Sequence, residues 1–133
     1  MKWFLAKSEP DVYSIDRLEH DKQTLWDGVK NPQAVRAILS MAKGDRIFFY
    51  HSGGVSAIVG VAEVVTDGRP DPKNEKSAVA DVKFVAKIDP PVTLKEVKES
   101  HLFDDWALVR QSRLSTMEAP EAFVKWVKKN RSM

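Results

Sequence analysis

A single glycine, Gly60, interrupts the longest β-favouring run of the chain, Val55 to Thr66. Glycine inside a strand marks a bulge or a sharp bend, because it has no side chain to pack against its neighbours. A strand bent in this way lets its sheet curl towards a barrel instead of lying flat. Other runs supply partners for it. Lys2 to Lys7 is apolar and aromatic-rich, and Arg46 to His51 favours strand and ends at the hairpin turn Ser52-Gly53-Gly54. Val82, Phe84, Ala86 and Ile88 alternate with Lys83, Val85 and Lys87 until Pro90-Pro91 closes the run. Leu108-Val109 and Leu114 flank Arg110-Gln111-Ser112-Arg113 as a last strand. From Asp67 to Ser77, turn residues without apolar periodicity predict a mobile loop.

Helices are announced mainly by their starts. Ser14 caps a short one with Ile15 and Leu18 inward. Asn31 caps a second, with Pro32 at its first position, Val35, Ile38, Leu39 and Ala42 at helical spacing, and Lys43-Gly44 as a stop. Thr93 and Glu96 have capping-box spacing ahead of a third. The final helix starts either at a Ser115–Glu118 capping box or at Pro120, with Phe123, Val124 and Val127 on its apolar face. Its Lys125, Lys128, Lys129 and Arg131 read first as a solvated face that suits the negative C-terminal end. About five or six strands flanked by three or four short helices predict an α+β fold with a small curled barrel, as one domain over residues 1–133.

A chain of 133 residues buries one core without covalent staples. It has no cysteine, which excludes disulfides, thiol catalysis and cysteine-built zinc sites. No run approaches the ~20 apolar residues of a membrane span, and no signal peptide precedes the first strand, so a cytosolic monomer is the simplest expectation. With 21 Lys plus Arg against 19 Asp plus Glu, the net charge of +2 is too slight for bulk polyanion binding. Any nucleic-acid role needs a specific pocket.

Such a pocket is suggested by Leu25-Trp26-Asp27-Gly28-Val29-Lys30-Asn31-Pro32 taken with Lys7-Ser8-Glu9-Pro10. Trp26 lies outside any long apolar run and is followed at once by a turn and a helix start. It offers a flat π-surface; Ser8 and Asn31 offer small hydrogen-bonding groups, and Lys7, Lys30, Arg110 and Arg113 offer positive charge. An aromatic floor, polar edges and a basic rim are what a flipped nucleobase with its phosphate requires. By itself, Trp26 fits a structural tryptophan with its N–H bonded equally well. Ser8 could simply satisfy a turn, and Asn31 a helix start.

Other chemistry finds less support. His20, His51 and His101 are far apart and form no ligand-spaced pair, so no metal site is expected. Gly53-Gly54 belongs to neither a dinucleotide fingerprint nor a P-loop, and no cofactor is implied. A triad of Ser8 with His51 and Glu9, Asp27 or Glu63 is conceivable, but Ser8 stands in no nucleophile elbow. A binding module is therefore favoured over a small-molecule (nucleoside-like) binder, and both over an enzyme acting on nucleic acid.

Six motifs occur in the order Lys7-Ser8-Glu9-Pro10, Ser14-Ile15-Asp16, Leu25-Trp26-Asp27-Gly28-Val29 with Asn31, Phe49-Tyr50-His51-Ser52, Gly60-Val61-Ala62-Glu63-Val64 and Val109 to Ser115. Together, from Trp3 to about Ala122, they closely resemble the EVE domain family. The resemblance implies a PUA-like fold related to YTH and ASCH domains, and a reader of modified bases without catalytic activity. The partner it implies is DNA carrying 5-methylcytosine or its oxidised forms, or modified RNA as for the YTH relatives. Carried over, Trp26 would be the stacking wall and Ser8 a base-edge contact, with Lys7, Glu9, Asp27 and Asn31 nearby. Tyr50, His51 and Ser52 would stand at the mouth, and Arg110, Gln111 and Ser112 would close the opposite side. Lys30 keeps the positive charge between Val29 and Asn31, as a point charge and not a bidentate fork.

Overall fold

The computed structural model describes residues 1–133. Strand β1 (Trp3–Ser8) lies inside the sheet, parallel to β3 (Arg46–His51) on one side and antiparallel to β7 (Thr116–Glu118) on the other. That position explains its continuous apolar run: Phe4, Leu5 and Ala6 are fully buried, as a strand covered on both faces requires. A parallel neighbour needs a crossover. It is made by α1 (Ile15–Asp21), β2 (Gln23–Trp26) and α2 (Pro32–Leu39). The chain then forms β4 (Ala57–Val64), β5 (Arg69–Asp71), β6 (Asn74–Thr93), α3 (Leu94–Ser100), α4 (Ala107–Arg110), β7 and α5 (Glu121–Asn130).

The fold is α+β, as expected, with seven strands and five helices where five or six and three or four were read. The main path runs β2-β6-β4-β3-β1-β7, and β5 pairs with β6. The sheet curls without closing, so β2 and β7 keep free edges. Curling follows from the bend at Gly60, where the β3–β4 and β4–β6 registers both shift. A Cβ there would stand 2.5 Å from Ile15 Cδ1 and 2.8 Å from the Ala86 carbonyl, so glycine is what lets the start of α1 press on the sheet. The helix starts are as read: Ser14 Oγ accepts from Arg17 N, Asn31 Oδ1 from Gln33 N and Ala34 N, and Thr93 Oγ1 from Glu96 N.

Several readings need correction. The segment Asp67–Ser77 is no free loop: it forms the β5–β6 hairpin, anchored where Gly68 N donates to Met41 O and Ser77 Oγ to Val29 O. Pro90-Pro91 does not end its strand, because Lys87 pairs with Gly60, the prolines bulge out of the ladder, and pairing resumes with Val92 opposite Ile58. Leu108-Val109 belongs to the short helix α4, and the last strand is Thr116–Glu118. Ser115 and Glu118 therefore form no capping box, and α5 starts after Pro120, the other option. Arg131 leaves the solvated face of α5 to pair with Glu96 at 2.7 Å.

The core is built around Phe4, Phe48, Phe49 and Phe123. Trp3 tilts onto Phe48 at 4.6 Å, and Trp106 and Trp126 flank Phe123 at 4.5 and 5.7 Å. The Trp106 N–H donates to Glu118 O, as a structural tryptophan's should. Trp26 packs on Phe49.

Candidate functional site

Trp26 is the last residue of the edge strand β2, opposite Ala80 of β6. Its ring meets Phe49 edge-on, with centroids 5.5 Å apart and planes at 83°, and stays half-buried. The chain then turns at Gly28, whose φ of +76° favours glycine. The carbonyl of Val29, held by Ser77 Oγ at 2.6 Å, fixes the far side of that turn. Facing it is the end of β1. Ser8 Oγ donates to the Tyr13 carbonyl at 2.6 Å, and Ser8 O accepts from Ser52 N at 3.0 Å. Val12 N and Tyr13 N both bond Glu9 O, closing a tight turn.

Between these two segments lies a cavity of about 460 Å³, within the ~300–1,000 Å³ usual for small-ligand sites. Its lining includes Lys7, Ser8, Glu9, Trp26, Asp27 and Lys30. Segments some twenty residues apart in the chain are thus brought face to face. Val12, Tyr13, Thr24, Leu25, Gly28, Val29 and Ser115 complete the wall. Tyr13 supplies a second aromatic ring that sequence reasoning missed. The signal was present: it sits between the Pro10 break and the Ser14 cap, a loop-held aromatic like Trp26. Its hydroxyl donates to Asp21 at 3.0 Å, and burial pushes its pKa up.

The remaining candidates lie outside the lining. Asn31 spends its side-chain oxygen on the first turn of α2. Tyr50 is buried, with the Lys7 ammonium 5.4 Å from its ring centroid, and burial raises its pKa. His51 and Ser52 support the β1–α1 turn from behind. Arg110 pairs with Asp105 at 3.1 Å; Gln111 and Ser112 are exposed, although the Ser112 carbonyl accepts from Lys7 Nζ at 3.1 Å. Of the expected basic rim, Lys7 and Lys30 line the cavity, together with the carboxylates Glu9 and Asp27. Partial burial holds the Lys7 pKa below the usual lysine value. No group of three or more His, Cys, Asp or Glu residues could hold a metal ion, and no helix is long and apolar enough to cross a membrane.

The EVE domain family model matches residues 2–130. The chain belongs to the EVE domain family. A Rhodopseudomonas palustris protein has the same fold as this EVE domain, with a TM-score of 0.90, 36% identity, and 97% of this chain and 92% of that one covered. The human THYN1 protein in complex with 5-methylcytosine-containing DNA gives a TM-score of 0.90 at 25% identity, covering 100% and 99% of the two chains. Chicken thymocyte nuclear protein 1 is 31% identical, over 74% of this chain and 52% of its own length. The EVE domain thus spans about half the length of the curated relatives it matches.

His51 gives this EVE domain a pH-dependent brace behind the cavity. Its Nε2 accepts the Ile15 N–H at 3.1 Å, which requires an unprotonated nitrogen there. Burial lowers its pKa, against a smaller upward pull from Asp16. A folded-state pKa below the unfolded value of about 6.5 means that the unfolded chain binds the proton first. The associated stability is complete above that value and is lost as pH falls through the folded pKa. Urea unfolding from pH 7.5 to 5 should therefore show falling stability in the wild type and a flatter profile in His51→Gln. Parallel profiles would remove His51 as the cause.

Proposed function

We propose that this EVE domain is a non-enzymatic module that takes a modified nucleobase of DNA or RNA into the Trp26 cavity. The observation that carries the reading is an indole braced edge-on by Phe49 and left half-covered on the wall of a cavity large enough for a base. Tyr13 adds a second ring, and Ser8, Thr24 and Ser115 add hydroxyls to the same wall. The human relative held in complex with 5-methylcytosine-containing DNA makes a methylated pyrimidine in DNA the first ligand to try. The absence of catalysis is supported by how the groups of a serine mechanism are engaged. The Ser8 hydroxyl is given to Tyr13 O, and His51 Nε2 holds the Ile15 N–H.

Magnitudes set what the cavity can achieve. Extruding a paired base costs a few kcal/mol, and one aromatic stack returns about 1–3 kcal/mol. These nearly cancel on a duplex. Burying a methyl mark adds only about 1 kcal/mol, roughly fivefold, and roughly 10- to 200-fold is the ceiling for a pocket that distinguishes one such group. Weak binding with modest selectivity, better on single strands or mismatches than on paired DNA, follows.

The second reading, a nucleoside-like small molecule, is favoured by one observation: the two lysines of the lining are balanced by two carboxylates. Salt separates the two. Fluorescence titrations of single-stranded oligonucleotides, modified and unmodified, should give a log–log salt slope near −1.4 if Lys7 and Lys30 each neutralise one phosphate, at about −0.7 apiece. A flat slope, with a free nucleoside competing as well as the oligomer, would replace nucleic acid by a small ligand.

A further inference from the structure

The free edge of β7 opens on a second cavity. Lys7 N donates to Ser115 O and Ala119 N to Trp3 O. Leu5–Met117, midway between them, is therefore the hydrogen-bonded pair of the β1–β7 ladder. The backbone groups of Thr116 and Glu118 point the other way, out of the edge of the sheet. Glu118 O is met there by the Trp106 N–H at 2.9 Å. The Glu118 N–H and the N–H and C=O of Thr116 have no partner in the protein, because β7 pairs with β1 alone. The hydroxyl of Thr116 is also unmet, although the residue is fully buried. Buried polar groups are nearly always paired, so this edge is set up for a hydrogen-bonding partner from outside the chain.

The cavity, of about 340 Å³, lies between that edge and helix α2. From α2 it is lined by Gln33 and Arg36, three residues apart and so on one side of the helix. Both are exposed, and Arg36 has no ion pair. The one carboxylate of the lining, Glu118, is engaged by Lys2 at 3.2 Å. An amide and a guanidinium each offer two adjacent hydrogen bonds in one plane. Glutamine matches the edge of adenine in this way, and arginine that of guanine. A purine therefore suits this wall.

The position of the cavity says where such a base would come from. Ser115 lines the Trp26 cavity, and its neighbours Leu114 and Thr116 line the second one. The two cavities share a short wall, so a strand with one base in the first has a neighbouring nucleotide beside the second. We infer that the α2–β7 cavity is a subsite for a purine flanking the modified base, read at its edge by Gln33, Arg36 and the outward backbone of β7. The subsite rests on the nucleobase reading and adds sequence context to it.

The test uses short single-stranded DNAs with one 5-methylcytosine. Its neighbours, on each side in turn, are a purine, a thymine or an abasic residue, so the number of phosphates stays constant. Wild type, Gln33→Leu, Arg36→Leu and the double variant are titrated by anisotropy of the labelled strand, after thermal melts establish that all are folded. On the side that reaches the subsite, a purine should bind the wild type roughly tenfold tighter than an abasic neighbour, the order of one bidentate base contact. In the double variant that ratio should fall close to one. A double variant that loses affinity equally for purine and abasic strands would make Arg36 a phosphate contact and overturn the subsite. A wild type that binds the methylated strand with no preference among neighbours on either side would overturn the subsite alone. Failure of the wild type to bind any of the strands would overturn the nucleobase reading, and the subsite with it.

Discussion

Replacing Trp26 should weaken binding of a modified-base oligonucleotide by about 1–3 kcal/mol, roughly 5- to 150-fold, the worth of one base–aromatic stack. Trp26→Leu is the sharper variant and Trp26→Ala the more drastic one. The indole packs against the Phe49 ring, a fully buried core side chain. Leucine keeps an apolar cover over that ring and removes only the π-surface. Alanine removes both, so part of its effect would pass through stability. If stacking is the source of affinity, both variants lose binding to a similar degree while their melting points differ. The other three tryptophans make the signal assignable, since Trp3 lies on Phe48 and Trp106 and Trp126 on Phe123, away from the cavity. Quenching of tryptophan emission by ligand should disappear in Trp26→Leu. Equal affinity and equal quenching in that variant would take the indole out of the site.

Local chemistry explains which parts of this molecule could be read from its residues. Ser14, Asn31-Pro32 and Thr93 act on amide groups two or three residues away, so their helix starts are written within a few positions. Gly60 is similar, because only glycine tolerates the approach of Ile15 and the Ala86 carbonyl. The misread segments are those decided at long range. Residues 67–77 look like a loop by composition, yet the contacts that order them come from Met41 and Val29. Ser115–Glu118 has the spacing of a helix start, but the neighbouring edge of β1 recruits Thr116–Glu118 as a strand.

The site divides along the same line. Lys7-Ser8-Glu9 and Trp26-Asp27-Lys30 reach the cavity because each group straddles the end of a strand, where the chain leaves the ladder. Asn31, His51 and Arg110 are polar residues of the same motifs, but each is committed to a partner within the protein. A motif read from sequence gives residue types in order. It does not say which polar atoms the fold consumes. Tyr13 and Val12 escaped notice for the converse reason: apolar side chains beside a turn look like core until the turn is seen to face outward.

Gly68→Ala should be the most damaging small substitution for stability, at about 3 kcal/mol, the upper end of overpacking costs. A Cβ at Gly68 would fall on the Ile38 carbonyl and lie 3.3 Å from Leu39 Cα. Those are backbone atoms at the end of α2, with no side chain to rotate away. Gly68 N also donates to Met41 O at 2.9 Å, and the preceding Asp67 accepts from Lys43 N at 2.8 Å, so the segment cannot move off without giving up hydrogen bonds. At this chain length, about 3 kcal/mol corresponds to a fall of roughly 10 °C in the melting point. Gly54→Ala separates sterics from backbone preference. Gly54 has a φ of +60° and open space where its Cβ would be, so only the left-handed penalty applies, about 1 kcal/mol. Chemical denaturation of the two variants should therefore rank Gly68→Ala well below Gly54→Ala. A Gly68→Ala melting point within a degree or two of the wild type would mean that the hairpin gives way freely, and the expected mobile loop at 67–77 would be restored.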